Sequence, residues 1–298
     1  MALSNELGKL SQARRVAQEA LAHYPRVSEL LYHAGEAARR CGRFDQARAQ
    51  VHDLATAAGD LPELIESLAV APDGPIPWDE IGGWPGELEN RSSSIVAASN
   101  PVVRDTLVSG WPDGWSSPRV LDDVDRLPLK VRLDEPSRTG IDRLLNAVAA
   151  NRLVTDERPL IIVDSGTATT VDAVDADGVF LGGAILPGFG LLARSLQRYT
   201  TLLPLVTLEE LGTGPPPVVG GDTTAAIKSG LFYGQLGAVR ELAAALGDAL
   251  GDEPAEMFLT GGGGPLLASA LPEARLVPHL GLHGLAEVFR TDASEMFP

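Results

Sequence analysis

The chain of 298 residues carries 40 acidic against 24 basic side chains, a net charge of −16, which opposes non-specific attraction to nucleic acid or to an anionic membrane surface. The lone Cys41 leaves no intrachain disulfide and no cysteine set for a zinc site. No run approaches the roughly eighteen apolar residues of a membrane span, and Met1-Ala-Leu-Ser-Asn-Glu6 lacks the basic-then-apolar order of a signal peptide, so a cytoplasmic protein with neither nucleic-acid nor membrane partners is expected.

Residues 1 to 57 hold an internal repeat, in which Gly8, Leu10, Ala13 and Ala17 recur as Gly42, Phe44, Ala47 and Val51, each 34 positions later. The period resembles that of a tetratricopeptide array, with Gly35 and Pro25 where such a repeat places its small residue and terminal proline. The copies are incomplete, and a generic alanine-rich helical hairpin stays open as the alternative. From Leu61 to Glu89 the chain is rich in proline, glycine and acid, with Leu64 to Val70 and Ser93 to Ala98 as its strand candidates. Strand and helix patterns alternate beyond it, which predicts an α/β domain. The division expected is 1–59 helical, 60–150 the remnant of a first lobe, and 151–298 a second lobe.

Gly140-Ile141-Asp142-Arg143 precedes Leu144, Leu145, Val148 and Leu153 at helical spacing, which puts the Asp142 carboxylate near a helix N-terminus. There the dipole favours the ionised form that a general base needs. Next comes an apolar run, Leu160 to Val163, that ends abruptly in Asp164, Ser165 and Gly166. Thr167 and Thr169 offer hydroxyls and amides, and Thr170 to Val174 alternates like a returning strand. The pattern predicts a phosphate-handling hairpin. Asp175-Ala-Asp-Gly178 turns the chain again, and Val179 to Ile185 returns toward Pro187-Gly188.

Leu192, Ser195, Leu196 and Tyr199 give a helix after Gly188. Asp222 caps a long helix reaching toward Leu250, with Ala226, Gly230, Gly234 and Gly237 as a small-residue stripe. Glycine inside a helix costs roughly 1 kcal/mol relative to alanine, so the stripe predicts close packing, with a partner helix as the natural candidate. A helix broken at one of the glycines is the alternative. Gly261 to Gly264 offers backbone amides to a nucleotide, or is a flexible loop. His279 and His283 lack the nearby acid that would complete a metal site, and read as surface or core histidines.

Taken in order, Ser99-Asn-Pro101, Gly140-Ile-Asp-Arg143, Asp164-Ser-Gly-Thr167, Gly182-Gly-Ala-Ile-Leu-Pro-Gly188, Leu202-Leu-Pro204, Asp222-Thr-Thr-Ala-Ala-Ile-Lys-Ser-Gly230 and Leu259-Thr-Gly-Gly262 resemble type III pantothenate kinase over about residues 93 to 289. That family belongs to the acetate and sugar kinase, heat-shock protein and actin superfamily. The resemblance implies a two-lobed ribonuclease-H-like α/β fold, here with a truncated first lobe. It implies ATP-dependent phosphorylation of pantothenate to 4′-phosphopantothenate, the first step of coenzyme A biosynthesis, with Asp142 as the base. It also implies that Gly140, Ile141, Asp142, Arg143 and Thr223 seat pantothenate, that Gly166, Thr167, Gly261 and Gly262 face ATP, and that Asp164 binds a monovalent cation, K+ or NH4+, beside Mg2+. A homodimer through the 222–250 helix is expected on the same ground.

The sequence departs from the family twice. The family opens on an Asp-x-Gly-Asn phosphate loop that has no counterpart in residues 1 to 92, and Leu133 stands where a tyrosine is common. An inactive ligand-binding relative and a helical-repeat adaptor therefore remain as alternatives. A sugar kinase fits the hairpin but not Gly140-Ile-Asp-Arg143.

Overall fold

The computed structural model describes residues 95–111 and 117–296. The tetratricopeptide-like segment, the strand candidate at 64–70 and the whole proline-rich boundary of 61–89 lie outside them. The described chain begins with β1 (Ile95–Val96), α1 (Pro101–Ser109) and β2 (Arg119–Val120), the two strands pairing in parallel as a small separate sheet. Asn100 starts α1, its side-chain oxygen accepting the Val102 amide at 3.0 Å with Pro101 at the first helical position.

The main sheet has six strands in the order β3-β6-β5-β4-β7-β8. These are β3 (Lys130–Val131), β4 (Leu160–Ser165), β5 (Ala168–Val174), β6 (Val179–Pro187), β7 (Glu256–Thr260) and β8 (Ala274–Leu276). β4, β5 and β6 form an antiparallel meander; β7 then joins β4 in parallel and β8 joins β7 in parallel. The helices are α2 (Ile141–Leu153), α3 (Phe189–Tyr199), the single turn α4 (Leu208–Leu211), α5 (Thr223–Leu250), α6 (Gly264–Ala268) and α7 (Leu280–Met296). The expected hairpin strands are all present, with β5 starting earlier than Thr170 and β6 running on to Pro187.

Two apolar layers follow from the two-residue period of the strands. Leu160 and Ile162 point to one side, where Val174, Phe180 and Phe258 meet Leu144, Leu145 and Val148 of α2 and Leu280 and Val288 of α7. Ile161 and Val163 point to the other, where Val171, Ala173 and Leu259 meet Phe189 of α3, Leu266 of α6, and Ile227, Leu231, Phe232 and Leu236 of α5. Fully burying one such side chain is worth about 1.5–3 kcal/mol, so each layer holds its helices firmly.

α5 runs unbroken for 28 residues, capped by the Asp222 carboxylate accepting the Ala225 amide at 2.8 Å. The broken-helix alternative does not hold, because the buried apolar row offsets the glycine cost. A side chain built at Gly230, Gly234 or Gly237 meets no atom of the described residues within 4 Å. The stripe therefore lies on the outer side of α5, away from the sheet.

Candidate active site

Helix starts gather at the edge of the sheet where β4 and β7 end. The Gly188 amide, just before α3, donates to Thr167 O at 3.0 Å; the Gly263 amide, just before α6, donates to Ser165 O at 2.8 Å; and the Leu280 amide opening α7 donates to Thr260 Oγ1 at 3.2 Å. α2 and α3 are capped by Gly140 and Gly188, which supply no side-chain acceptor. Their first-turn amides and positive dipole ends favour an anion at this edge.

On the α2 side of the sheet the alternation of β4 and β5 places Asp164 and Asp172. Asp172 is 1% exposed and takes a bidentate ion pair from Arg143, whose Nε lies 3.1 Å from both carboxylate oxygens while Nη2 bonds Oδ1. The same guanidinium sits over the Phe180 ring, 5.7 Å from its centroid. One turn along α2 from Asp142, the buried Asn146 donates from Nδ2 to Asp164 Oδ2 at 2.9 Å. Burial pushes the Asp164 carboxyl above the usual range against the Asn146 hydrogen bond, with the charges of Asp142 and Asp172 adding to the rise. Burial also raises Asp172, opposed by the hydrogen bonds and charge of Arg143. Asp142 itself is exposed in the first turn of α2, and its Oδ1 accepts the Arg143 amide at 3.0 Å.

Gly166 and Thr167 form the exposed apex of the β4–β5 hairpin. A side chain at Gly188 would collide with the carbonyls of Gly166 and Thr167, so glycine alone lets α3 begin against the apex. Gly261 has φ +83°, and a Cβ there would stand 2.5 Å from Asp164 Oδ1; the Gly261–Gly262 turn thus lies directly over that carboxylate.

The structure therefore brings together Gly140, Asp142, Arg143, Asp164, Gly166, Thr167 and Gly261 at one sheet edge. It commits Ile141 otherwise, since that side chain is 9% exposed within the core. Thr223 is exposed at the start of α5, on the opposite side of the sheet from α2. Thr169, read from sequence as a hydroxyl offered to phosphate, is fully buried and donates instead to Gln235 Oε1 at 2.9 Å. His279 stands just before α7, its imidazole held below the usual value by burial and by His283. Among the described residues no group of three or more His, Cys, Asp or Glu side chains is placed to hold a metal ion. The sequence reading gave no role to Asn146, Asp172 or Gln235; their signal was a polar residue standing inside an otherwise apolar pattern.

The meander of three antiparallel strands, extended by two parallel ones, defines a ribonuclease-H-like α/β protein with an acidic cluster and a glycine-bearing hairpin at one strand edge. Residues 80–245 match the family model of type III pantothenate kinase. The chain belongs to that family. The type III pantothenate kinase of Phenylobacterium zucineum is 36% identical over 179 residues, 60% of this chain and 67% of its own length. That of Rubrobacter xylanophilus is 42% identical over 176 residues, covering 56% and 64%. That of Rhodospirillum centenum is 39% identical over 208 residues, covering 68% and 76%. The chain spans 62–67% of the length of the first curated relatives it matches. Among solved structures, a Campylobacter jejuni protein named for the Baf family of transcriptional activators aligns over 70% of this chain and 87% of its own, at 19% identity and a TM-score of 0.49.

Proposed function

We propose that the chain transfers the γ-phosphoryl group of ATP to the primary hydroxyl of pantothenate. The carrying observation is the exposed Asp142 carboxylate in the first turn of α2, at the sheet edge where the Gly166–Thr167 apex and the α3 start also lie. Asp142 accepts the hydroxyl proton as that oxygen attacks phosphorus. A carboxylate is a weak base for an alcohol, which suffices where a loose transition state leaves positioning and charge neutralisation to carry the reaction. Gly140 and Arg143 seat pantothenate beside Asp142, Ile141 contributing its backbone, while Gly166, Thr167, Gly261 and Gly262 face the nucleotide. The Arg143 guanidinium, fixed by Asp172, serves as a fixed wall more than as a mobile clamp.

Asp164 offers one carboxylate at the strand end. This fits a cation that completes its shell with phosphate and carbonyl oxygens, and does not make a dedicated protein cage. Mg2+ bound with ATP, or K+ or NH4+ at Asp164, supplies charge neutralisation for the phosphates.

Thr223 contacts pantothenate in this reading only across a homodimer, because within one chain it lies on the far side of the sheet from Asp142. A second copy supplies it through the open stripe of α5. Exposed apolar side chains nearby in the chain, Tyr199 (80%), Leu202 (88%) and Val219 (84%), support a surface of that kind. The reaction belongs in the cytoplasm, where ATP is supplied.

The test is phosphorylation of pantothenate by the full chain with ATP and Mg2+, in potassium and in sodium. Because residues 1 to 92 hold no Asp-x-Gly-Asn, turnover by this chain is expected to be slow or undetectable, and grafting such a strand and loop in place of residues 1 to 60 should raise it. Equal rates for the two chains would overturn the argument about the loop. The same sequence observation favours a second reading, a relative that binds pantothenate without turnover. Calorimetric binding together with an inactive graft would establish that alternative.

A further inference from the structure

We infer that Gln235 is a positioning residue that locks the phosphate-loop hairpin and the start of α3 into one unit. The inference rests on the proposed role of Gly166 and Thr167 in facing ATP. Gln235 is 2% exposed on the inner side of α5, between the core residues Phe232 and Leu236. Its amide is satisfied at both ends: Oε1 accepts from Thr169 Oγ1 at 2.9 Å, and Nε2 donates to Pro187 O at 2.6 Å. A carbonyl only accepts, which assigns the nitrogen to Pro187 and the oxygen to Thr169.

The two partners stand on neighbouring strands beside the loop. Thr169 is the first residue of β5 to pair with β4, opposite Ser165, where the chain returns from the Gly166–Thr167 apex. Pro187 ends β6 opposite Ala168, and the next residue, Gly188, donates its amide to Thr167 O at 3.0 Å. One side chain from α5 thus ties the returning strand of the apex to the end of β6, where α3 begins. A leucine would fill the same volume with no partners to satisfy, and a buried amide is tolerated only when hydrogen-bonded. The amide therefore specifies geometry where an apolar side chain would supply burial alone. It also withdraws the Thr169 hydroxyl from the ligand, leaving Thr167 as the hydroxyl at the apex.

Amide hydrogen exchange on the full chain tests this, comparing the parent with Gln235→Leu and with Thr169→Val, which removes only one of the two bonds. Gln235→Leu should speed exchange about tenfold or more in segments 165–169 and 186–190, while segments 161–163 and 257–259 exchange as in the parent. Thr169→Val should speed the first segment more than the second. Calorimetry with ATP and Mg2+ should show affinity falling with loop order across the series and pantothenate affinity unchanged. Unaltered exchange at the apex in both variants would overturn the assignment. So would acceleration spread equally over β4 and β7, the mark of a merely structural residue. A parent that neither binds ATP nor phosphorylates pantothenate defeats the proposed function, yet the exchange pattern still decides the role of Gln235.

Discussion

The two sides of the main sheet solve different problems with the same strands. Toward α2 the strands present Asp164 and Asp172, joined by Arg143 and Asn146 and open at the edge to the exposed Asp142. Toward α5 they present Thr169, answered by the neutral amide of Gln235, and among the described residues no ionisable side chain is buried on that side. Charge collects where a sheet edge, a helix start and solvent meet, because a buried charge is tolerated only with a partner. Neutral hydrogen bonds serve where the interior is closed and only geometry must be specified. The side with charge is the candidate for chemistry, and the neutral side holds the hairpin apex proposed to face ATP.

The comparison breaks most visibly at the Arg143–Asp172 pair. Removing one partner of a buried pair leaves the other uncompensated, so Arg143→Met should cost about 3–5 kcal/mol in urea unfolding. The double variant Arg143→Met, Asp172→Leu should recover most of that loss. A single variant as stable as the parent would mean that the charged side is not held by this pair.

The Asp142 prediction sharpens the chemical half. In whichever chain is active, Asp142→Asn should keep the fold and most ligand binding while lowering the rate by about 10² or more. A rate within about a factor of three of the parent removes Asp142 from the base role.

The outer surface of α5 belongs to neither side, and its stripe is open. Gly234→Leu should shift a dimer toward monomer by on the order of 1–3 kcal/mol, read by sedimentation, because a side chain added at a tight helix crossing cannot be accommodated. A parent that is monomeric at micromolar concentration, or a variant that stays dimeric, would refute this use of the stripe.

The smallest effect expected is on pH dependence. The folded-state value of Asp164 is raised, so its contribution to stability is fully present below the ordinary carboxylate value and is lost as pH rises through the folded one. Asp164→Asn carries no such loss. Its stability relative to the parent should therefore improve as pH rises above the ordinary carboxylate range, measured by urea unfolding at each pH. A difference that stays constant as pH rises would show that burial does not govern this carboxyl.

Local patterns in the sequence are enough to find the β4–β5–β6 meander and the helices α2, α3 and α5, but not β3, β7, β8 or α7. Apolar alternation placed β4, β5 and β6, Asp222 placed the start of α5, and Gly140-Ile-Asp-Arg143 and Asp164-Ser-Gly-Thr167 supplied the residues now found at one edge. Local chemistry suffices for these, since strand period, helix caps and glycine turns act within a few residues. Which helix covers which side of the sheet is settled by long-range packing. That choice joined Asn146 to Asp164 across 18 positions, Arg143 to Asp172 across 29, and Thr169 to Gln235 across 66. Alternation says that a strand has two sides without saying what will lie against either. The partner of a buried polar group is fixed by the path of the chain through space, which is why Thr169 read as a ligand contact and folds as a core hydrogen bond.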